Sequence, residues 1–329
     1  GVSLPGVPGV IAGSNGRLAW GVTNHYNDCQ DFILVRTDPD DPDRYLTGDP
    51  DQPTEPFGER VETIEVRGAD PVTLPIRTTR WGDVTRNDQS DRPLVLKWTA
   101  YLPEALNLDL FDVWTADTLE EGVRIMQGWG GPSQNVMIAA DDGRIAWVIS
   151  GWLPRRIGFD GSHPVPWSDP DVEGWQGQID ERADLVIIDP DDGVLYSANN
   201  RTAAMPVGGR INAAWPPPTR AARIRDVLLE NGPHDERSSF DLALDTRAPS
   251  LDFYRDLLVA LDPSGEEADA IRHAIDLAET WNGHADADQR GYRIIKAFRT
   301  EVHQAIFDPL TFPAKEVEPG YRYGFFAIE

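Results

Sequence analysis

Apolar and polar positions alternate in short runs up to about residue 200 and then recur at helical spacing. Leu18-Ala19-Trp20 reads as a buried strand entered from Asn15-Gly16, a dipeptide that favours positive φ at both positions and so marks a hairpin. Residues 32–35 predict a further strand, and residues 61–66 alternate with period two, which predicts a half-buried strand partnered by residues 72–78. Residues 93–99 add another, and residues 107–115 mix helical spacing with aromatic bulk. Thr118 followed by Glu121 is a capping box opening a helix through Met126. Residues 135–140 and 144–150 flank the turn Asp141-Asp142-Gly143, and residues 183–188 and 194–198 flank Asp191-Asp192-Gly193. The Pro-rich acidic stretch 38–60 reads as an excursion, and the Pro-, Gly- and Trp-rich stretch 154–182 as a loop over the sheet. After Pro216-Pro217-Pro218, residues 220–229, 240–245, 251–261, 266–281 and 291–307 carry the 3.6-residue period of helices. The pattern predicts a layered α+β protein: a β-rich core at 1–215 and a helical segment of the same domain at 216–329.

Three similar hairpins, with turns at Gly16, Gly143 and Gly193, suggest propeller blades, but their unequal spacing and the helices that follow exclude a propeller. The chain of 329 residues is 40% hydrophobic, enough for a substantial core, and no run approaches the ~20 apolar residues of a membrane span. Its formal charge of −25 argues against a nucleic-acid partner. Lys97, Lys296 and Lys315 are the only lysines, and with the acidic loops they read as a surface adapted to high salt, an Asp-rich genome being the plain alternative. The acidic runs lack the spacing of an EF-hand. Cys29 is the single cysteine, so no internal disulfide framework exists. Residues 1–6 have no basic n-region, and no signal peptide is expected there.

The unusual chemistry follows the first buried strand. Thr23, Asn24, His25, Tyr26, Asn27, Asp28 and Asp31 crowd polar groups onto a loop held by a sheet, where reactive sites tend to form. A solvated loop closing a hairpin is the plain alternative. There is no G-x-S-x-G, H-E-x-x-H or Walker loop, and His25 and His163 are the only histidines in polar loops near the strands.

Taken in order, Ser3-Leu4-Pro5-Gly6, Gly13-x-Asn15-Gly16-x-x-Ala19-Trp20-Gly21-x-Thr23 and Asp28-x-x-Asp31 resemble the β chain of penicillin acylases. Gln134-Asn135, Pro164-Val165-Pro166, Ser197-Ala198-Asn199-Asn200 and Arg220-x-x-Arg223-Ile224 continue the resemblance to at least Asp308. It implies an N-terminal-nucleophile hydrolase with an αββα sandwich, here in part, from exported enzymes cut autocatalytically into two chains. Their substrates are N-acylated small molecules: β-lactams, N-acyl homoserine lactones and lipopeptides.

Carried over by position, the resemblance implies an oxyanion hole from the Asn24 N–H and the Asn199 amide, with Arg220 organising the site. Ile11, Ala12 and Gln134 correspond to the acyl-pocket wall. Asp28, Asp31, the Gln30 carbonyl and Gly161 correspond to a structural calcium site, and no organic cofactor is implied. A further calcium carboxylate is expected near Gly209-Arg210, where no acid stands. The nucleophile, a serine opening the β chain, is expected upstream of the matched part, since neither Gly1 nor Ser3 fits it. The expectation is therefore the central part of an amidohydrolase, inactive without its α chain and the rest of β. A non-catalytic secreted binding module on the same scaffold is the competing reading.

Overall fold

The structure, a computed structural model, describes residues 1–202, 211–212 and 215–321. Strands β1 (Val2–Leu4), β2 (Val7–Ser14) and β3 (Leu18–Asn24) run antiparallel in succession. At the β2–β3 turn only Gly16 takes a positive φ, +91°. Asn15 acts through its side chain instead. Its Oδ1 accepts from the N–H groups of Arg17 (2.9 Å) and Leu18 (2.7 Å), an Asx-type turn. Its Nδ2 donates to the carbonyls of Val113 and Ala116, 2.9 Å each.

Beyond β3 the chain leaves to build other sheets. β4 (Gln30–Leu34) is followed by a small three-stranded sheet of β5 (Thr37–Asp38), β6 (Asp41–Leu46) and β7 (Thr54–Pro56), within the stretch expected to be an excursion. β8 (Gly58–Ile64), β9 (Val72–Thr79), β10 (Gly82–Asn87) and β11 (Pro93–Trp98) then return to β4, giving the order β4-β11-β10-β9-β8. Ile33, Val35, Tyr45 and Val95 form a core at the β4–β11 end. β8 is exposed at every position, so its alternation marks a two-sided edge hairpin rather than the expected half-buried strand.

After a 3₁₀ segment (Asp109–Thr115), α1 (Leu119–Gly128) opens with the expected capping box, the Thr118 and Glu121 side chains each accepting the other's N–H at 3.3 Å. The chain then rejoins the first sheet with β12 (Gln134–Ala140) and β13 (Ile145–Ile149), leaves it for the hairpin β14 (Pro154–Ile157) and β15 (Gly174–Gln178), and returns with β16 (Val186–Ile188). The six-stranded order is β1-β2-β3-β12-β13-β16. Two-residue periodicity assigns its faces. Val136, Ile138, Ala146 and Val148 pack with Leu119, Val123 and Met126 of α1, whereas Trp147 and Ile149 pack with Leu153, Leu185 and Ile211.

Two expectations change here. Residues 154–182 hold a hairpin, and residues 194–198 form no strand; β16 pairs with β13 instead.

Residues 1–216 form one compact unit and residues 217–329 a second. The second contains α2 (Thr219–Asn231), α3 (Glu236–Ala243), α4 (Asp252–Val259), α5 (Ala268–Glu279) and α6 (Arg290–Val317). Leu251, Leu258, Ala278, Trp281 and Ile295 make its core. No helix among the described residues is long and apolar enough to cross a membrane.

Candidate active site

β3 and β12 pair in register from Ala140 opposite Leu18 to Gln134 opposite Asn24, so Asn24 and Gln134 stand together where the ladder ends. One residue beyond, the His25 N–H donates to the Ser133 carbonyl (3.3 Å). Alternate residues of an antiparallel strand face the same neighbour, so the Asn24 N–H and C=O face away from β12. The Asn199 Nδ2 reaches that carbonyl, donating to it at 3.0 Å. Asn199 has a φ of +69°, a left-handed conformation that asparagine tolerates better than most residues.

Buried polar groups hold this arrangement. Asn135, fully buried, donates to the Asn24 carbonyl (3.2 Å) and accepts from Trp147 Nε1 (3.1 Å) and the Thr202 hydroxyl (3.0 Å). The Thr23 and Ser197 hydroxyls share a 2.9 Å bond that ties the end of β3 to the loop carrying Asn199. The network is entirely neutral. Amide dipoles fixed in this way can be aimed at a charge that develops during a reaction.

Beside it lies a cleft of about 660 Å³ whose walls include Asn24, His25, Trp98, Leu106, Ser133, Gln134 and Trp152. His25 is buried, its ring edge-on to Trp215 with centroids 5.1 Å apart. Nδ1 and the Ser133 hydroxyl share a 3.2 Å bond, and Nε2 has no partner among the described residues. Burial alone pushes its pKa down to about 3, so the ring is neutral at ordinary pH.

Of the residues expected to hold calcium, Asp28 and Asp31 converge with Gly161 beside them, but on an arginine side chain. Asp28 lies on the loop leading into β4, Gln30 opens β4 opposite Trp98, and Asp31 follows within the strand. The Arg156 side chain, on β14 and only 5% exposed, enters between the two carboxylates. Its Nε donates to Asp31 Oδ2 (2.9 Å), and its Nη2 to the Asp28 carbonyl (2.9 Å), with Asp28 Oδ2 3.1 Å away. Trp175 Nε1 donates to the same Asp31 oxygen at 2.5 Å. Burial pushes the Asp28 carboxyl up to about 6, against the pull of Arg156.

Calcium needs six to eight oxygens around one point. Here the oxygens that would face it accept from a guanidinium, which has donors only. Among the described residues no group of three or more His, Cys, Asp or Glu converges as metal ligands. The residues present do not fit a calcium ion at this place.

Gln134 lines the cleft, whereas Ile11 packs from β2 against the core shared with α1, and Ala12 stands opposite Val2. Arg220 is exposed on the first turn of α2, in the second unit. Gly209-Arg210 lie outside the described residues. Sequence reasoning passed over Asn135, Thr202 and Arg156 as functional residues. The only signal for Arg156 was an arginine within a Trp- and Gly-rich stretch, which reads as loop.

The α+β core of two larger sheets, with its helical second unit, is an N-terminal-nucleophile hydrolase fold of the penicillin acylase kind. It superposes on a thermostable penicillin G acylase from Alcaligenes faecalis with a TM-score of 0.67 at 20% identity, over 86% of this chain and 51% of that one. The chain belongs to the Penicillin amidase family, which it matches over residues 1–322. It is 32% identical to an acyl-homoserine lactone acylase of Pseudomonas aeruginosa over 74% of its own length and 30% of that protein's. It is 29% identical to the penicillin acylase 2 proenzyme of a Pseudomonas species, over 91% of its own length and 38% of the other's. The chain thus spans about a third of the length of these curated relatives.

Proposed function

We propose that this chain carries the oxyanion-stabilising part of an exported amidohydrolase acting on an N-acylated small molecule. The named relatives point to a penicillin or an acyl-homoserine lactone as substrate, and the family resemblance adds a lipopeptide side chain. The nucleophile is a serine at the start of the mature β chain, upstream of Gly1, with its own α-amine as base. Its hydroxyl oxygen bonds to the amide carbon, and the hydroxyl proton passes through the α-amine to the leaving nitrogen as the C–N bond breaks. Water then hydrolyses the acyl-enzyme and returns the serine. The Asn24 N–H and the Asn199 amide stabilise the negative oxygen of each tetrahedral intermediate, and the cleft bordered by Gln134 takes part of the substrate.

The observation that carries this reading is the Asn199 amide held 3.0 Å from the Asn24 carbonyl at the ladder's end, beside that cleft. Its test is Asn199→Ala in the full-length protein, followed with a chromogenic phenylacetyl or fatty-acyl amide. Turnover should fall by ~10²–10³, the loss typical of one oxyanion donor. A folded variant with wild-type turnover would sink the assignment. A full-length wild type with no amidase activity on any acyl chain would favour a binding module on this scaffold.

A further inference from the structure

We propose that Arg156 is a resident cation that does, from within the chain, the work of a structural metal ion. The inference stands apart from the catalytic reading and rests on the surroundings of one side chain. The guanidinium and Asp31 are 5% and 3% exposed, so neither charge is solvated by bulk water. Buried charges persist only when paired and hydrogen-bonded, and here the pairing is specific. One edge of the planar fork spans Asp31 Oδ2 and the Asp28 carbonyl, and Trp175 Nε1 supplies a further donor to Asp31 Oδ2. A divalent ion in the same place would sit against a fixed positive charge and compete for the same oxygens. Asp160, a further acid nearby, is exposed and accepts from the N–H and hydroxyl of Ser162 (2.9 and 2.7 Å).

Gly161 shows that the local backbone is shaped around this pair. It has a φ of +84°, and a Cβ there would lie 2.7 Å from both Arg156 Nε and Asp28 Oδ2. Any larger residue would push the guanidinium and the carboxylate apart. The elements joined are the 25–29 loop, β4 and the β14–β15 hairpin, which is the tie a bound ion would make. An arginine makes it without dependence on metal supply, and its fork holds two acceptors at once where lysine offers a point charge.

The test uses full-length protein, purified in the presence of calcium and read by elemental analysis after removal of free ion by gel filtration, and EDTA-dialysed protein read by thermal melts with and without millimolar calcium. The wild type should carry no stoichiometric calcium at this place, and its Tm should shift by less than about 1 °C on adding the ion. Arg156→Ala should lower Tm by on the order of 10 °C, because it strands the buried Asp31 carboxylate. If that variant does not fold, Arg156→Lys should fold with a Tm between the two, its charge kept and its fork lost. A stoichiometric calcium ion in the wild type that disappears in Asp31→Ala would overturn the proposal. So would an Arg156→Ala protein as stable as the wild type.

Discussion

Two polar clusters lie within one loop's reach of each other, and they are built on opposite principles. The first joins Asn24, Asn135 and Asn199 through neutral amides at the end of a sheet. The second joins a buried guanidinium to the buried Asp31 carboxylate and the partly exposed Asp28 carboxylate. A buried charge must be matched almost completely or it destabilises the fold, so the ionic cluster has little freedom left for chemistry. Neutral amides tolerate incomplete matching at far smaller cost, and their dipoles can be fixed toward a charge that is present only briefly. The amide cluster is therefore placed to act on a reaction, and the ionic cluster on the stability of the loop that carries it.

This contrast makes separable claims. The largest effect is expected from Asp31→Ala, which takes the shared acceptor from Arg156 and Trp175. Breaking one side of a buried pair should cost about 3–5 kcal/mol in chemical denaturation, with turnover per folded molecule little changed. A loss below about 1 kcal/mol would mean that the pair is solvated and the contrast false.

Asn199→Ala should do the reverse, with the ~10²–10³ loss in turnover accompanied by no more than about 1 kcal/mol of stability. If it chiefly unfolds the protein, the amides are structural as well.

His25 lies on the loop between the clusters and sharpens the comparison by pH. Its pKa is about 3 in the fold, against an ordinary 6.5. Between those values the unfolded chain binds a proton that the folded one does not. The His25 contribution to stability should therefore fall as pH drops below about 6.5, by up to ~1.4 kcal/mol per unit, and level off below about 3, opposed in part by Asp28, whose raised carboxyl takes up a proton first in the fold. His25→Phe should flatten that limb in denaturation curves taken across the range; an unchanged limb would mean the ring is not buried neutral.

The smallest effect is that of salt. With a formal charge of −25, the folded protein should melt several degrees higher in molar NaCl than in dilute buffer. The Asp31→Ala penalty, measured at both ionic strengths, should change little, because buried pairs are screened less than surface charge. A penalty that disappears in salt would place the pair in solvent.

What could be read from the sequence was whatever local chemistry decides. The Thr118–Glu121 capping box needs only neighbours in the chain, and α1 starts where it says. The two strands read around the Asp141-Asp142-Gly143 turn are β12 and β13, because turn chemistry and apolar runs on either side suffice to place a hairpin. The same reasoning misjudged β8, since alternation records that two faces differ and not that something covers one of them. It misread Asn15-Gly16 in detail, because Asn15 spends its amide on carbonyls about a hundred residues away. Asn24 and Asn199 were named as candidates through family resemblance. Asn135 and Arg156 were not, because their roles arise from partners that no spacing rule connects.

The β3–β12 ladder has one more consequence, for the time course of folding. Everything from β4 to α1 is threaded between its two strands, so β3 must wait for a partner that begins at Gln134. Closing so long a loop costs little at equilibrium, since each doubling of length adds only about 0.6 kcal/mol. It costs much more in rate, because pairings between distant parts of a chain slow the search for the native state. Assembly of the inserted sheet before the ladder closes would shorten the effective distance between β3 and β12. The strand end that carries the amide cluster thus takes its shape from a partner on the far side of the whole insertion.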